Sequence, residues 1–220
     1  MTTNFLWISL VFFIIASVLP KKFTLQRMPI GAVGWIFFAL YWAVQPFYYM
    51  KEGDISMVFL MLLVAFFCLI IAHLMVRTYT MSKKGIPQDD QIDRPKTLLA
   101  VTTITAIGCL FYFPFAEIGS LNHLIIDTVS SQTFWLSRQA GFPVEREDWN
   151  MINFGLYRVE IILACTAIES IALFFGLILG TRADVKRVLL ALLVSIPVIY
   201  ILNVIRNTFV IGAYGYEWFG

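Results

Sequence analysis

The chain has 220 residues and a formal net charge of +2, with 60% hydrophobic and only 14% charged side chains, against about 45–50% and about 25% in soluble domains. Its mean hydropathy of +0.80 is more than a compact globule can hide from water, which excludes a soluble enzyme, a nucleic-acid binder and a disordered chain. The small net charge offers no global field to a polyanionic partner.

The apolar residues come in blocks. Six are long enough, or nearly so, to cross about 30 Å of hydrocarbon as helices: 4–19, 30–49, 55–76, 97–118, 159–179 and 188–211. The fold class expected is therefore all-α, a polytopic integral membrane protein of six transmembrane helices forming one transmembrane domain over 1–220. The first block carries no positive charge ahead of it and is followed by Lys21 and Lys22. It reads as a first span with its N-terminus outside rather than as a signal peptide. Segment 20–29 holds Lys21, Lys22 and Arg27; segment 77–96 holds Arg77, Lys83, Lys84, Arg94 and Lys96; segment 180–187 holds Arg182, Lys186 and Arg187. These are 11 of the 16 basic residues, and the positive-inside rule assigns such alternate segments to the cytoplasm.

Segment 119–158 then falls on the outer face. Leu121, Leu124, Ile125 and Val129 recur at helical spacing, followed by Phe134, Trp135 and Leu136, which predicts an amphipathic helix on the bilayer surface or over the bundle. Gly141-Phe142-Pro143-Val144 reads as a turn. Glu145, Arg146, Glu147 and Asp148 form a charged patch, and Trp149 and Tyr157 suit the interface. A segment of this length is more often functional than connective.

Ionisable groups inside spans are costly and mark functional candidates. Arg206 lies five residues before the end of the sixth block, about 7–8 Å below its outer edge. It can snorkel to the headgroups or face protein, and Asn203 and Asn207 beside it form a polar stripe that favours the second. Cys165, six residues into the fifth block, lies about 9 Å from the same edge. Cys68 and Cys109, at mid-span, read as packing residues. With no Cys-x-x-Cys pair, the three cysteines support neither a disulfide framework nor a zinc site, and neither metal nor cofactor is expected. A guanidinium close to a thiol favours the thiolate, and it can also hold a carbonyl and stabilise an oxyanion. Glu169 follows Cys165 by four residues, which puts it on the same face of the expected helix, as a partner for Arg206 or Arg158 or as a structural group. His123 is a possible proton carrier in the outer segment or a solvated surface residue.

The run from Val159 to Ser170, with Cys165 and Glu169, resembles the cysteine motif of the exosortase/archaeosortase family, in particular its archaeosortase branch. Pro197 through Asn203-Val204-Ile205-Arg206-Asn207 is similar to its arginine motif, and Leu136 to Val144 to its external loop. The resemblance spans roughly 131–211. It implies a membrane cysteine peptidase or transpeptidase with Cys165 as nucleophile and Arg206 as oxyanion stabiliser. Asn203, Asn207, Glu169, His123 and Arg158 become supporting or substrate-binding residues. The implied partners are exported surface proteins, such as S-layer glycoproteins, with a C-terminal signal made of a Pro-Gly-Phe motif, a transmembrane helix and a basic tail. A membrane lipid is the implied acceptor. The resemblance also implies a third catalytic position, a His or Arg in a further span beyond Gly220, with His123 as the outer-face alternative. A different class, a small transporter or channel subunit with an Arg206/Asn203/Glu169 polar path, fits the polar residues too, but predicts paired repeats, and none is visible.

Overall fold

The computed structural model describes residues 2–84, 94–181 and 183–218. Arg182 and the middle of the basic segment 77–96 lie outside the described residues. The chain divides into two compact units, residues 1–106 and 107–220.

In the first unit, α1 (Thr2–Val18), α2 (Thr24–Val44), α3 (Pro46–Glu52) and α4 (Ile55–Lys83) are followed by the start of α5 (Arg94–Glu117). α2 packs on both α1 and α4, and small residues set the closeness of the approach. A Cβ at Gly31 would lie 2.5 Å from Met75 Cε of α4, and one at Gly34 would lie 2.7 Å from the Phe13 ring of α1. On α4 the buried stripe is Ala65, Cys68, Ala72, Met75 and Thr78, so Cys68 is a packing residue here. Arg27 is 8% exposed and donates from Nε to Ala16 O at 2.5 Å and from Nη2 to Ser17 O at 3.1 Å. These carbonyls end α1 and have no intrahelical partner, and a cation is the favoured group at that pole.

The second unit holds the rest of α5, then α6 (Gly119–Gln139), β1 (Val144–Arg146), β2 (Met151–Phe154), β3 (Tyr157–Glu160), α7 (Ile168–Gly180) and α8 (Val185–Gly215). The three strands form an antiparallel sheet in the order β1-β2-β3, with Ile152 opposite both Arg146 and Val159. Its buried side, Val144, Ile152 and Phe154, joins Ile126 and Val129 of α6, Ile161 just after β3, and Ile211 of α8 in one apolar cluster. Arg146 ties the sheet to α6, donating from Nη1 to Ser131 Oγ at 2.7 Å and from Nη2 to Asp127 Oδ1 at 2.5 Å. Tyr157 Oη donates to Glu217 just past α8. That carboxylate holds the phenol above its ordinary pKa, because hydrogen bonding and charge both oppose ionisation beside it.

Among the described residues, four helices are long and apolar enough to cross a membrane, Thr24–Lys51, Ile55–Lys83, Arg94–Glu117 and Val185–Gly215, with Thr3–Val18 and Ile168–Gly180 as shorter apolar helices. On α8, Leu189, Leu193, Leu202 and Phe209 stay exposed, as side chains facing lipid do.

Two expectations need correction. The fold is mostly helical rather than all-α, because β1, β2 and β3 form between α6 and α7. Met151 to Phe154 alternates half-buried and buried residues, the period of a strand, and Gly155 at φ +59° makes the two-residue turn into β3. The helix expected over 159–179 is broken. Its first residues complete β3, Leu163–Cys165 forms a 3-10 turn, and Ala167 is left-handed at φ 65°. α7 begins only at Ile168 and runs 13 residues, about 20 Å. A continuous apolar run reads alike as buried strand or buried helix, and here it serves as both. The predicted outer helix does form, as α6. It buries Ile126, Val129, Ser130, Thr133 and Ser137 and packs against α8 and β1.

α8 meets the sheet through glycine. A Cβ at Gly215 would lie 2.3 Å from the Phe154 ring, and that ring is already held between Phe142 and Tyr216, with centroids 6.0 and 5.0 Å away. Gly215→Ala is expected to destabilise the unit by about 1–3 kcal/mol through overpacking, read as a lowered melting temperature in detergent. An unchanged melting temperature would show that the ring yields freely.

Candidate active site

Cys165 closes the 3-10 turn between β3 and α7. Its N–H donates to Ile162 O at 2.8 Å. The following Thr166 is fully buried and donates to Leu163 O from both its N–H, at 3.0 Å, and its hydroxyl, at 2.7 Å. Upstream, Asn150 anchors the end of β3. Its Nδ2 donates to Glu160 Oε1 at 3.1 Å, and its carbonyl accepts from Ile161 N–H at 2.8 Å. Left-handed Ala167 prevents the turn from running on into α7.

That interruption leaves the Cys165 carbonyl without a place in a helical ladder, and a buried carbonyl needs a donor. α8 supplies two. Asn203 Nδ2 donates to Cys165 O at 2.6 Å and Asn207 Nδ2 donates to the same oxygen at 2.8 Å. The asparagines lie one turn apart on one face and are 9% and 4% exposed. Arg206 Nη1 donates to Asn203 Oδ1 at 3.5 Å, so Asn203 bridges the Cys165 peptide and the guanidinium. Arg206 itself is exposed and Cys165 half-buried. The N-terminal end of α7 lies three residues past Cys165, and the positive pole of a helix favours an anion there.

The structure thus brings Cys165, Asn203, Arg206 and Asn207 into one hydrogen-bonded group. The other candidates bond elsewhere. Glu169, in the first turn of α7 and no longer one helical turn from Cys165, accepts from Tyr112 Oη of α5 at 3.3 Å. Arg158 pairs with Glu147 at 3.4 Å across the sheet. His123 stacks on Trp149, with centroids 4.2 Å apart and planes at 25°. Among the described residues, no group of three His, Cys, Asp or Glu side chains is placed to hold a metal ion. Sequence reasoning missed Thr166, Asn150 and Tyr112. The pairing of Asn150 with Glu160 was within reach, since both flank the hairpin, but only once strands were assigned there.

The family model of transmembrane exosortases matches residues 2–218. Archaeosortase A of Haloferax volcanii is 32% identical over 142 residues, covering 56% of this chain and 47% of the relative. Archaeosortase A of Natronomonas pharaonis is 26% identical over 208 residues, covering 88% of this chain and 60% of the relative. The chain therefore spans about half to three fifths of the length of these curated relatives. No solved structure matches it. The chain is a multi-pass membrane protein and belongs to the exosortase/archaeosortase family.

Proposed function

We propose that the protein is a membrane-embedded cysteine transpeptidase or peptidase that cleaves the C-terminal sorting signal of exported surface proteins. Cys165 Sγ, as thiolate, attacks the scissile carbonyl and forms a thioester as the leaving amine takes up a proton. Arg206 stabilises the oxyanion of the tetrahedral intermediate. A lipid amine or water then resolves the thioester. The site faces the extracytoplasmic side, as the distribution of Lys and Arg suggests. Substrates are proteins with a Pro-Gly-Phe type signal and a transmembrane helix, S-layer glycoproteins among them, with lipid attachment as the outcome of transfer to an amine.

The observation that carries this reading is the convergence of Asn203 and Asn207 on the Cys165 carbonyl. It ties the turn bearing the thiol to the helix bearing the guanidinium.

Substitutions at three positions of the site test it. Cys165→Ser should lower processing of a surface protein's C-terminal signal by at least about a thousandfold, as loss of a nucleophile does, while Cys68→Ser and Cys109→Ser retain it. Equal tolerance of all three removes the enzyme reading. Arg206→Lys should reduce turnover on the order of 10²-fold, because an ammonium cannot reproduce the guanidinium fork; full activity would assign Arg206 a purely electrostatic role. Asn207→Ala should destabilise the protein by about 1–3 kcal/mol by removing a buried donor. Isosteric Asn207→Asp should cost more, since it sets an acceptor against the Cys165 oxygen. Melting temperatures of the two variants check the order.

A further inference from the structure

β3 is a margin of the sheet, which runs β1-β2-β3. Tyr157 lies opposite Phe154 and Val159 opposite Ile152, and Ile161 N–H donates to Asn150 O at 2.8 Å. Along an antiparallel strand, successive residues direct their main-chain groups alternately toward and away from the partner. Residues 157, 159 and 161 therefore bond to β2, and the N–H and C=O groups of Arg158 and Glu160 face the open side of the sheet.

Among the described residues, no further strand pairs on that side. Tyr157, Arg158 and Glu160 are exposed, and Leu156 at the hairpin tip is 99% exposed. The two charged side chains are drawn back over the sheet, Arg158 to Glu147 at 3.4 Å and Glu160 to Asn150 at 3.1 Å. Edge strands are commonly closed off by proline, a bulge or a covering element, and residues 157–160 contain no proline and pair in unbroken register. The strand also points somewhere: its last residue precedes Cys165 by five positions.

We propose that β3 is the docking strand for substrate. An extended segment of the substrate polypeptide, next to its membrane helix, adds as a fourth strand and is led by β3 to Cys165. This rests on the reading of Cys165 as a nucleophile toward a peptide carbonyl. An extended polypeptide is the ligand whose own N–H and C=O groups repeat at about 6.8 Å, the two-residue spacing of the strand. Main-chain pairing gives affinity that tolerates varied side chains, which suits an enzyme that must accept many surface proteins through one short signal.

The experiment uses the full chain in lipid nanodiscs, as Cys165→Ser to prevent turnover. The probe is a synthetic peptide with an extended Pro-Gly-Phe segment ahead of an apolar helix. Single N-methyl groups are placed at successive main-chain nitrogens of the extended residues, and binding is measured for each. Strand addition predicts a period-two pattern, with binding weakened about tenfold at alternate positions and little changed between them. Glu160→Pro in the protein should weaken the unmethylated probe similarly, and more than Glu160→Ala, because the lost N–H faces outward and its removal spares the bonds to β2. Binding that ignores the position of the methyl group overturns strand addition and leaves the chemistry of Cys165 untouched. Absence of binding overturns it as well. A period-two pattern without Cys165-dependent cleavage by the unsubstituted chain supports strand addition and sinks the nucleophile reading.

Discussion

A carbonyl oxygen taken out of regular structure and away from water must find a donor, and in this protein that demand organises the second unit. Left-handed Ala167 separates the 3-10 turn from α7, so the Cys165 oxygen has no ladder to join. In a hydrocarbon-facing protein an unsatisfied main-chain group costs several kcal/mol, and irregular backbone survives there only when protein or a water-filled cavity covers it. Asn203 and Asn207 meet the demand from the middle of a 31-residue helix. They are themselves held by that helix's docking on the sheet through Gly212 and Gly215, which lie against Phe142 and Phe154. The aromatic cluster, the glycines, the carboxamides and the cysteine turn form one chain of dependence.

Much of this was legible in composition. The apolar blocks became helices because side-chain transfer into lipid sets their length, and the amphipathic stretch after 119 became α6. The polar stripe of Asn203 and Asn207 turning toward protein was also readable, since polar groups one turn apart in an apolar helix seek partners there, but their meeting on the Cys165 main-chain oxygen was not. The break before α7 was not. Val159 to Leu179 is mostly apolar, and apolarity marks burial without distinguishing a strand from a helix. The deciding information lies in the hairpin at Gly155-Leu156, whose pairing fixes residues 157–160 as strand. It lies also in Asn150, which holds the strand's end. These are contacts between positions about ten residues apart, and no periodicity within the block reports them. The expected shared face of Glu169 and Cys165 failed for the same reason, since their spacing has meaning only if one helix contains both; of the roles open to Glu169, its bond to Tyr112 is a structural one.

The first unit follows a different logic. Its helices associate by shape, with Gly31 and Gly34 admitting Met75 and Phe13, and its buried cation caps α1 instead of joining a site. Arg27 and Arg206 are both arginines near apolar helices, yet one is enclosed by carbonyls and the other is exposed beside a carboxamide. Local partners, more than residue type, separate a structural guanidinium from one that can serve chemistry.

The two asparagine nitrogens meet on a single atom, and this makes the connection from β3 to α7 a ruler. Its six residues between Glu160 and Ala167 are pinned at one end by the hairpin and at the other by the first turn of a helix. Lengthening or shortening it by one residue would swing the carbonyl off both amides together, with no intermediate register to catch it. Across relatives, insertions should accumulate in the hairpin tips and the helix-connecting segments, while this short bridge keeps its length.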